Sequence, residues 1–85
     1  MPKEREIYAI ETGSYAGEMW IYCGKERKEP QYNFLSIPLM ENRTIDCKTF
    51  DDGIESGIVN MVERVPRYVY KVSKKQYDKN EKSNN

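Results

Sequence analysis

Histidine is absent from the 85 residues, and cysteine occurs only twice. Without histidine the chain lacks the side chain most used as a general base near neutral pH. Histidine-containing zinc sites, Ser-His-Asp triads and Cys-His dyads are excluded with it. Cys23 and Cys47 are too few for a four-cysteine metal site and do not form a C-x-x-C pair. Each is expected to behave as a small, partly buried apolar residue rather than as half of a disulfide. No cofactor and no metal is expected. Long apolar runs are missing as well, since none approaches the ~20 residues that span a bilayer. The opening "MPKEREIYAI" lacks the apolar stretch of a secretory signal. The sequence therefore reads as cytoplasmic, with no membrane partner.

A net charge of one sign is also lacking: Lys plus Arg total 14 and Asp plus Glu total 14. This does not point to a strongly basic nucleic-acid binder or to an acidic DNA mimic. The balance hides a gradient. Residues 1–32 carry five basic and six acidic groups, residues 33–63 two and six, and residues 64–85 seven and two. The middle is acidic and the C-terminal part basic, an asymmetry that can steer a partner. Usage leans to Lys, Asn, Glu, Tyr and Ile. Their AT-rich codons suit a bacterial or phage genome.

The pattern that is present is one of short strands and one helix. "REIYAIET" and "EMWIYC" are rich in β-branched and aromatic residues, which favour a pleated surface. Met19, Ile21 and Cys23 alternate with Trp20 and Tyr22, so the two sets lie on opposite faces. Between the strands sits "TGSYAG". It fits neither G-x-x-x-x-G-K-S/T nor G-x-G-x-x-G, and it leads into a strand rather than a helix. Gly13 and Gly17 are read instead as hairpin turn residues tolerant of positive φ. In "QYNFLSIPLM" a third strand is expected, with Pro38 at an edge, a bulge or the strand end. A short extended piece is expected at Thr44–Cys47. Thr49 to Val65 reads as a helix, capped by Thr49 and ended before Pro66. Phe50, Ile54, Ile58, Met61, Val62 and Val65 form its apolar stripe. Gly53 and Gly57 suggest close approach of this helix to the sheet. "RYVYKVS" reads as a last strand, and residues 74–85 as a disordered, polar, basic tail. The expected fold is α+β, a small antiparallel sheet in β-β-β-α-β order. One helix (about 49–65) covers one face, and residues 1–73 form a single domain.

That arrangement leaves one sheet face uncovered, and the aromatic residues become the main functional signal. Seven tyrosines, one tryptophan and two phenylalanines offer more aromatic surface than one helix can cover. Tyr15, Trp20, Tyr22, Tyr68 and Tyr70 are the candidate partner-binding residues, because Tyr and Trp bury much area with few torsions to freeze. The competing explanation is a small core built from large residues. Carboxylate pairs carry little: Glu11 and Glu18 sit on an exposed hairpin rim, and Asp51 with Asp52 begins the helix. The expectation is a non-catalytic protein-interaction module, not an enzyme. Its partner is a host protein, as for a phage-encoded modulator, or a second copy in a homodimer. The alternative is a binder of single-stranded nucleic acid or nucleotides, stacking bases on aromatics beside Arg67, Lys71, Lys74 and Lys75. No segment of the form K/R-G-F/Y-G/A-F-V-x-F/Y supports it, and the acidic middle would repel a phosphate backbone.

Overall fold

The computed structural model describes residues 1–83. The class is α+β, as expected, but the element order is longer. The chain runs β1 (Glu6–Ile10), β2 (Met19–Lys25), β3 (Gln31–Ser36), β4 (Glu41–Asp46), α1 (Cys47–Ser56), β5 (Val59–Arg64) and α2 (Arg67–Ser83). All neighbouring strands are antiparallel, in the order β4-β3-β2-β1-β5. The two helices lie on opposite faces.

The period-2 alternation of β1 to β3 divides the core in two. Tyr8, Ile10, Trp20, Tyr32 and Phe34 point to one face and pack with Phe50 of α1 and Val59 of β5. Ile7, Ile21, Cys23 and Leu35 point to the other and pack with Val65 and with Tyr77 of α2. The first core is aromatic, with edge-to-face contacts that suit the ring quadrupoles. Phe50 sits 4.9 Å from Phe34, 5.1 Å from Tyr8 and 5.6 Å from Tyr32 between ring centroids. The competing explanation therefore applies to most of the aromatics: they build the core.

The expected helix over 49–65 is two elements. It starts earlier, because Asp46 rather than Thr49 is the N-cap and accepts from the Thr49 backbone N–H at 3.2 Å. It stops at Gly57, whose φ of 84° gives the left-handed C-cap that glycine tolerates best. Asp51 and Asp52 accordingly lie inside the helix rather than at its start, and Asp52 pairs with Lys48 one turn back at 2.8 Å. Beyond Gly57 the chain turns into β5. Gly53 does mark a close approach, since a Cβ there would lie 2.9 Å from Val59 Cγ2.

A second correction concerns the last strand and the tail. Residues 67–83 form one helix, neither a strand over 67–73 nor an unstructured segment from 74 onward. Val69, Ser73, Tyr77 and Asn80 recur at helical spacing toward the sheet, and Tyr77 is buried. Lys74 to Asp78 and Gln76 to Asn80 bond at i,i+4 along the helix. Asn80 Nδ2 donates to the Met40 carbonyl and Asn42 Nδ2 to the Tyr77 carbonyl, which ties α2 to β4. The part of the tail at 84–85 lies outside the described residues. A third correction is β4, where only Thr44–Cys47 was expected to be extended. Pro38 lies past the end of β3, in the turn over 37–40.

Candidate interaction site at the groove between helix α1 and the first hairpin

Five strands at ~4.8 Å spacing make a sheet face ~19 Å wide. A ten-residue helix is only ~15 Å long. Helix α1 crosses that face from the end of β4 to the start of β5, and the corner at Trp20 is left to the β1–β2 loop, whose Tyr15 packs on the indole. Gly13 and Gly17 hold φ of 89° and 90°, the positive values expected of them. The Gly17 N–H donates to the Ile10 carbonyl at 2.8 Å, closing the loop at its base.

A polar clamp fixes the loop. Arg43 of β4 donates from Nε and Nη2 to the two carboxylate oxygens of Glu18, at 3.1 and 3.2 Å. Trp20 Nε1 donates to Glu18 Oε1 at 2.9 Å. Arg43 also reaches Glu41 and stacks on the Tyr15 ring at 4.5 Å from its centroid. Tyr15 in turn meets the Trp20 ring edge-on at 5.7 Å. Burial pushes the Glu18 carboxyl up, but hydrogen bonds from Arg43 and Trp20 outweigh it and hold it below the usual carboxylate value. Glu18 is thus no exposed rim carboxylate paired with Glu11. Its position two residues before Trp20 places it on the same strand face, a signal legible in the sequence. Arg43 sits in a polar run and gave no such signal.

Between loop and helix lies a groove of about 560 Å³. Ile10, Trp20, Ile45 and Val59 make its floor, Tyr15 one wall, and Gly53 and Ser56 the other. Polar groups stand at the rim: Thr12, Ser14, Thr49 and Asp52. The volume matches sites that take a small ligand or a buried side-chain cluster. At its β5 end Ile58 joins the lining. Ile54 of α1 and Met61 (52% exposed) and Val62 (48%) of the edge strand β5 are exposed apolar side chains as well. Val62 is the extra residue of a bulge opposite Ile7 and Tyr8.

The candidate residues named from sequence fall in different places. Trp20 is only 2% exposed and serves as the floor of the groove, not as a protruding anchor. Tyr22 packs on Tyr32 and Phe34 below α1. Tyr15 lines the groove beside Trp20. Tyr68 and Tyr70 lie on α2, across the sheet, with Tyr68 71% exposed and Tyr70 half-buried. Among the described residues no uncovered aromatic sheet face exists, because α2 occupies the second face. Arg67 and Lys71 sit one turn apart on α2 and face a second concavity with Arg5 and Arg64. Lys74 is paired with Asp78 at 2.7 Å, and Lys75 is exposed on the neighbouring position. Cys23 and Cys47 are free thiols, and burial pushes the Cys23 thiol up to about 12, which suppresses thiolate chemistry. Among the described residues no group of three or more Cys, Asp or Glu side chains is placed to hold a metal. What the groove offers chemically is apolar contact area with hydroxyl and carboxylate groups at its mouth. No protein-family model, no curated protein and no solved structure matches this chain.

Proposed function

We propose that the protein is a non-catalytic interaction module of the cytoplasm, a modulator that receives an apolar segment of a partner protein in the groove between α1 and the first hairpin. The observation that carries this reading is the 560 Å³ groove floored by Trp20 and bounded by a clamped loop. Clamping matters because a preorganised cleft does not lose ordering entropy when it binds. Ile54, Met61 and Val62, exposed apolar side chains, offer contact area beyond the groove. Asp52, the charged residue in the lining, is already paired with Lys48, so the fitting partner is an apolar anchor. A partner strand can also add to β5, whose outer edge pairs with no other strand among the described residues.

The test is affinity capture followed by mass spectrometry, with three forms of the protein as bait. Ser56→Trp fills the groove from its helical wall, and Lys79→Ala serves as a control on α2. The expected result is a protein held by the wild type and by Lys79→Ala and lost with Ser56→Trp, while circular dichroism of all three is unchanged. An identical captured set for the three folded baits rules out the groove as the contact.

A further inference from the structure

A second site is carried by charge rather than by apolar surface. The end of β5 and the start of α2 bring Arg64 and Arg67 together across Val65 and Pro66. Arg5 joins them from the residue before β1. Its backbone carbonyl accepts from the Val65 N–H at 2.7 Å, and its own Nε donates to the Val65 carbonyl at 2.8 Å. Arg5 holds φ at 73°, a left-handed conformation that costs a non-glycine residue about 1 kcal/mol or more. Lys71, one turn after Arg67, completes the group. These four cations line a concavity of about 220 Å³ together with Glu4 and Tyr70.

Four positive groups and one carboxylate line the hollow, while Glu6, opposite Arg64 in the register, accepts instead from the Lys3 N–H and the Tyr8 hydroxyl. Among the described residues none of the four makes a salt bridge. Three other basic residues at folded positions behave differently: Arg43 pairs with Glu18 and Glu41, Lys48 with Asp52, and Lys74 with Asp78. Like charges gathered without counter-ions repel one another, and an anion entering the hollow relieves that repulsion. Guanidinium forks match the oxygens of phosphate in pairs. Tyr70 adds a hydroxyl donor, kept protonated because burial, with Glu4 beside it, raises its pKa.

We infer that Arg5, Arg64, Arg67 and Lys71 form a binding site for a compact, multiply charged phosphate, such as the diphosphate end of a small molecule. The compact ligand follows from the layout. Three arginines from three separate segments, Arg5 before β1, Arg64 at the end of β5 and Arg67 at the start of α2, line one hollow. Arg67, Lys71, Lys75, Lys79 and Lys82 also recur at i+4 and i+3 along α2, the row of cations that a nucleic-acid strand follows, but Arg5 and Arg64 stand off that row and serve the hollow alone. This site lies on the far side of the sheet from the groove and does not depend on the reading given to it.

Pyrophosphate at constant ionic strength is the direct probe, followed by amide chemical-shift mapping on the full chain. Saturable shifts confined to residues near Arg5, Arg64, Arg67, Tyr70 and Lys71 are expected. Arg64→Gln and Arg67→Gln change exposed side chains and leave the melting temperature in place. Each is expected to weaken pyrophosphate about tenfold, the size of one charge-assisted bond. Glu4→Gln is expected to tighten it several-fold, and Lys75→Gln to leave it unchanged. Linear, unsaturated shifts, or equal weakening by Lys75→Gln and Arg67→Gln, overturn the inference. So does a single-stranded oligonucleotide that binds more tightly than pyrophosphate and loses that affinity in Lys75→Gln and Lys79→Gln, because the charge then acts as a track along α2.

Discussion

At the scale of single residues, one missing methyl group decides how closely α1 approaches the sheet. The Val59 side chain occupies the space that a Gly53 Cβ would need, and Val59 is buried with a branched Cβ that cannot swing aside. Gly53→Ala gains about 1 kcal/mol of helix propensity but overpacks a buried contact at about 1–3 kcal/mol. A net loss of about 1 kcal/mol is expected in urea unfolding, with α1 pushed outward and the groove widened. The Glu18–Arg43 clamp gives a pH dependence. The Glu18 pKa is lower in the folded chain than its ordinary value of 4.5. Its contribution to stability is therefore complete above about pH 4.5 and is lost as the pH falls through the folded value. Glu18→Gln is expected to flatten that acid limb of the stability profile. Arg43→Ala leaves a partly buried carboxylate unpaired and is expected to cost about 2 kcal/mol, below the 3–5 kcal/mol of a fully buried pair. Denaturant titrations between pH 3 and 7 on these variants check both, and an unchanged acid limb in Glu18→Gln refutes the clamp.

At the scale of elements, α2 is the piece on which the second core depends. Tyr77 is the buried α2 aromatic packed against Ile21, Cys23 and Leu35, with Val69 and Tyr70 partly buried beside it. Tyr77→Ala is expected to cost about 3 kcal/mol, in the range for emptying a buried aromatic site. Thermal or urea unfolding measures it, and a loss under 0.5 kcal/mol, the size of an ordinary surface change, means that α2 does not hold that face. This element is also the hardest to read from sequence. "RYVYKVS" alternates in period 2 and is rich in β-branched and aromatic residues, so local preference favours a strand. Burial of Val69, Ser73 and Tyr77 on one helical face overrides it. Ile58, Met61, Val62 and Val65 mislead in the opposite sense, since their spacing continues the stripe of Phe50 and Ile54. Gly57 is the stop signal, legible once read as a left-handed cap rather than as a helix-interior residue. β4 has no apolar alternation to reveal it, because its side chains serve polar contacts to Glu18 and to α2. β1 and β2, by contrast, are legible as strands, although β2 runs two residues further, through Gly24 and Lys25, than "EMWIYC" suggests. Their two-faced alternation announces that both sheet faces need covering, and the cover on the second is the segment that composition alone assigns to disorder. The groove itself is half legible: Trp20 and Tyr15 stand out, but the wall from α1 depends on where that helix ends.

At the scale of the molecule, the charge gradient along the chain becomes a difference between two faces. The acidic middle supplies α1, with Asp51, Asp52 and Glu55, and the basic C-terminal part supplies α2. The two helices cross opposite faces of one twisted sheet, and neither covers its face completely. On the acidic face the apolar groove lies between α1 and the β1–β2 loop; on the other face the gap between β1, β5 and α2 is the arginine cluster. These two openings are the surfaces on which the proposed partner segment and the proposed anion would sit. The most direct measurement is site-specific photo-crosslinking in cells, with benzoylphenylalanine placed in turn at Ser14, at Ser56 and at Lys79. Ser14 and Ser56 flank the groove from the loop and the helix, and Lys79 lies on the opposite face. Crosslinks to one and the same protein from positions 14 and 56, and none to it from 79, are expected. Crosslinks to a partner from position 79 and none from 14 or 56 contradict the assignment of the groove as the interaction site.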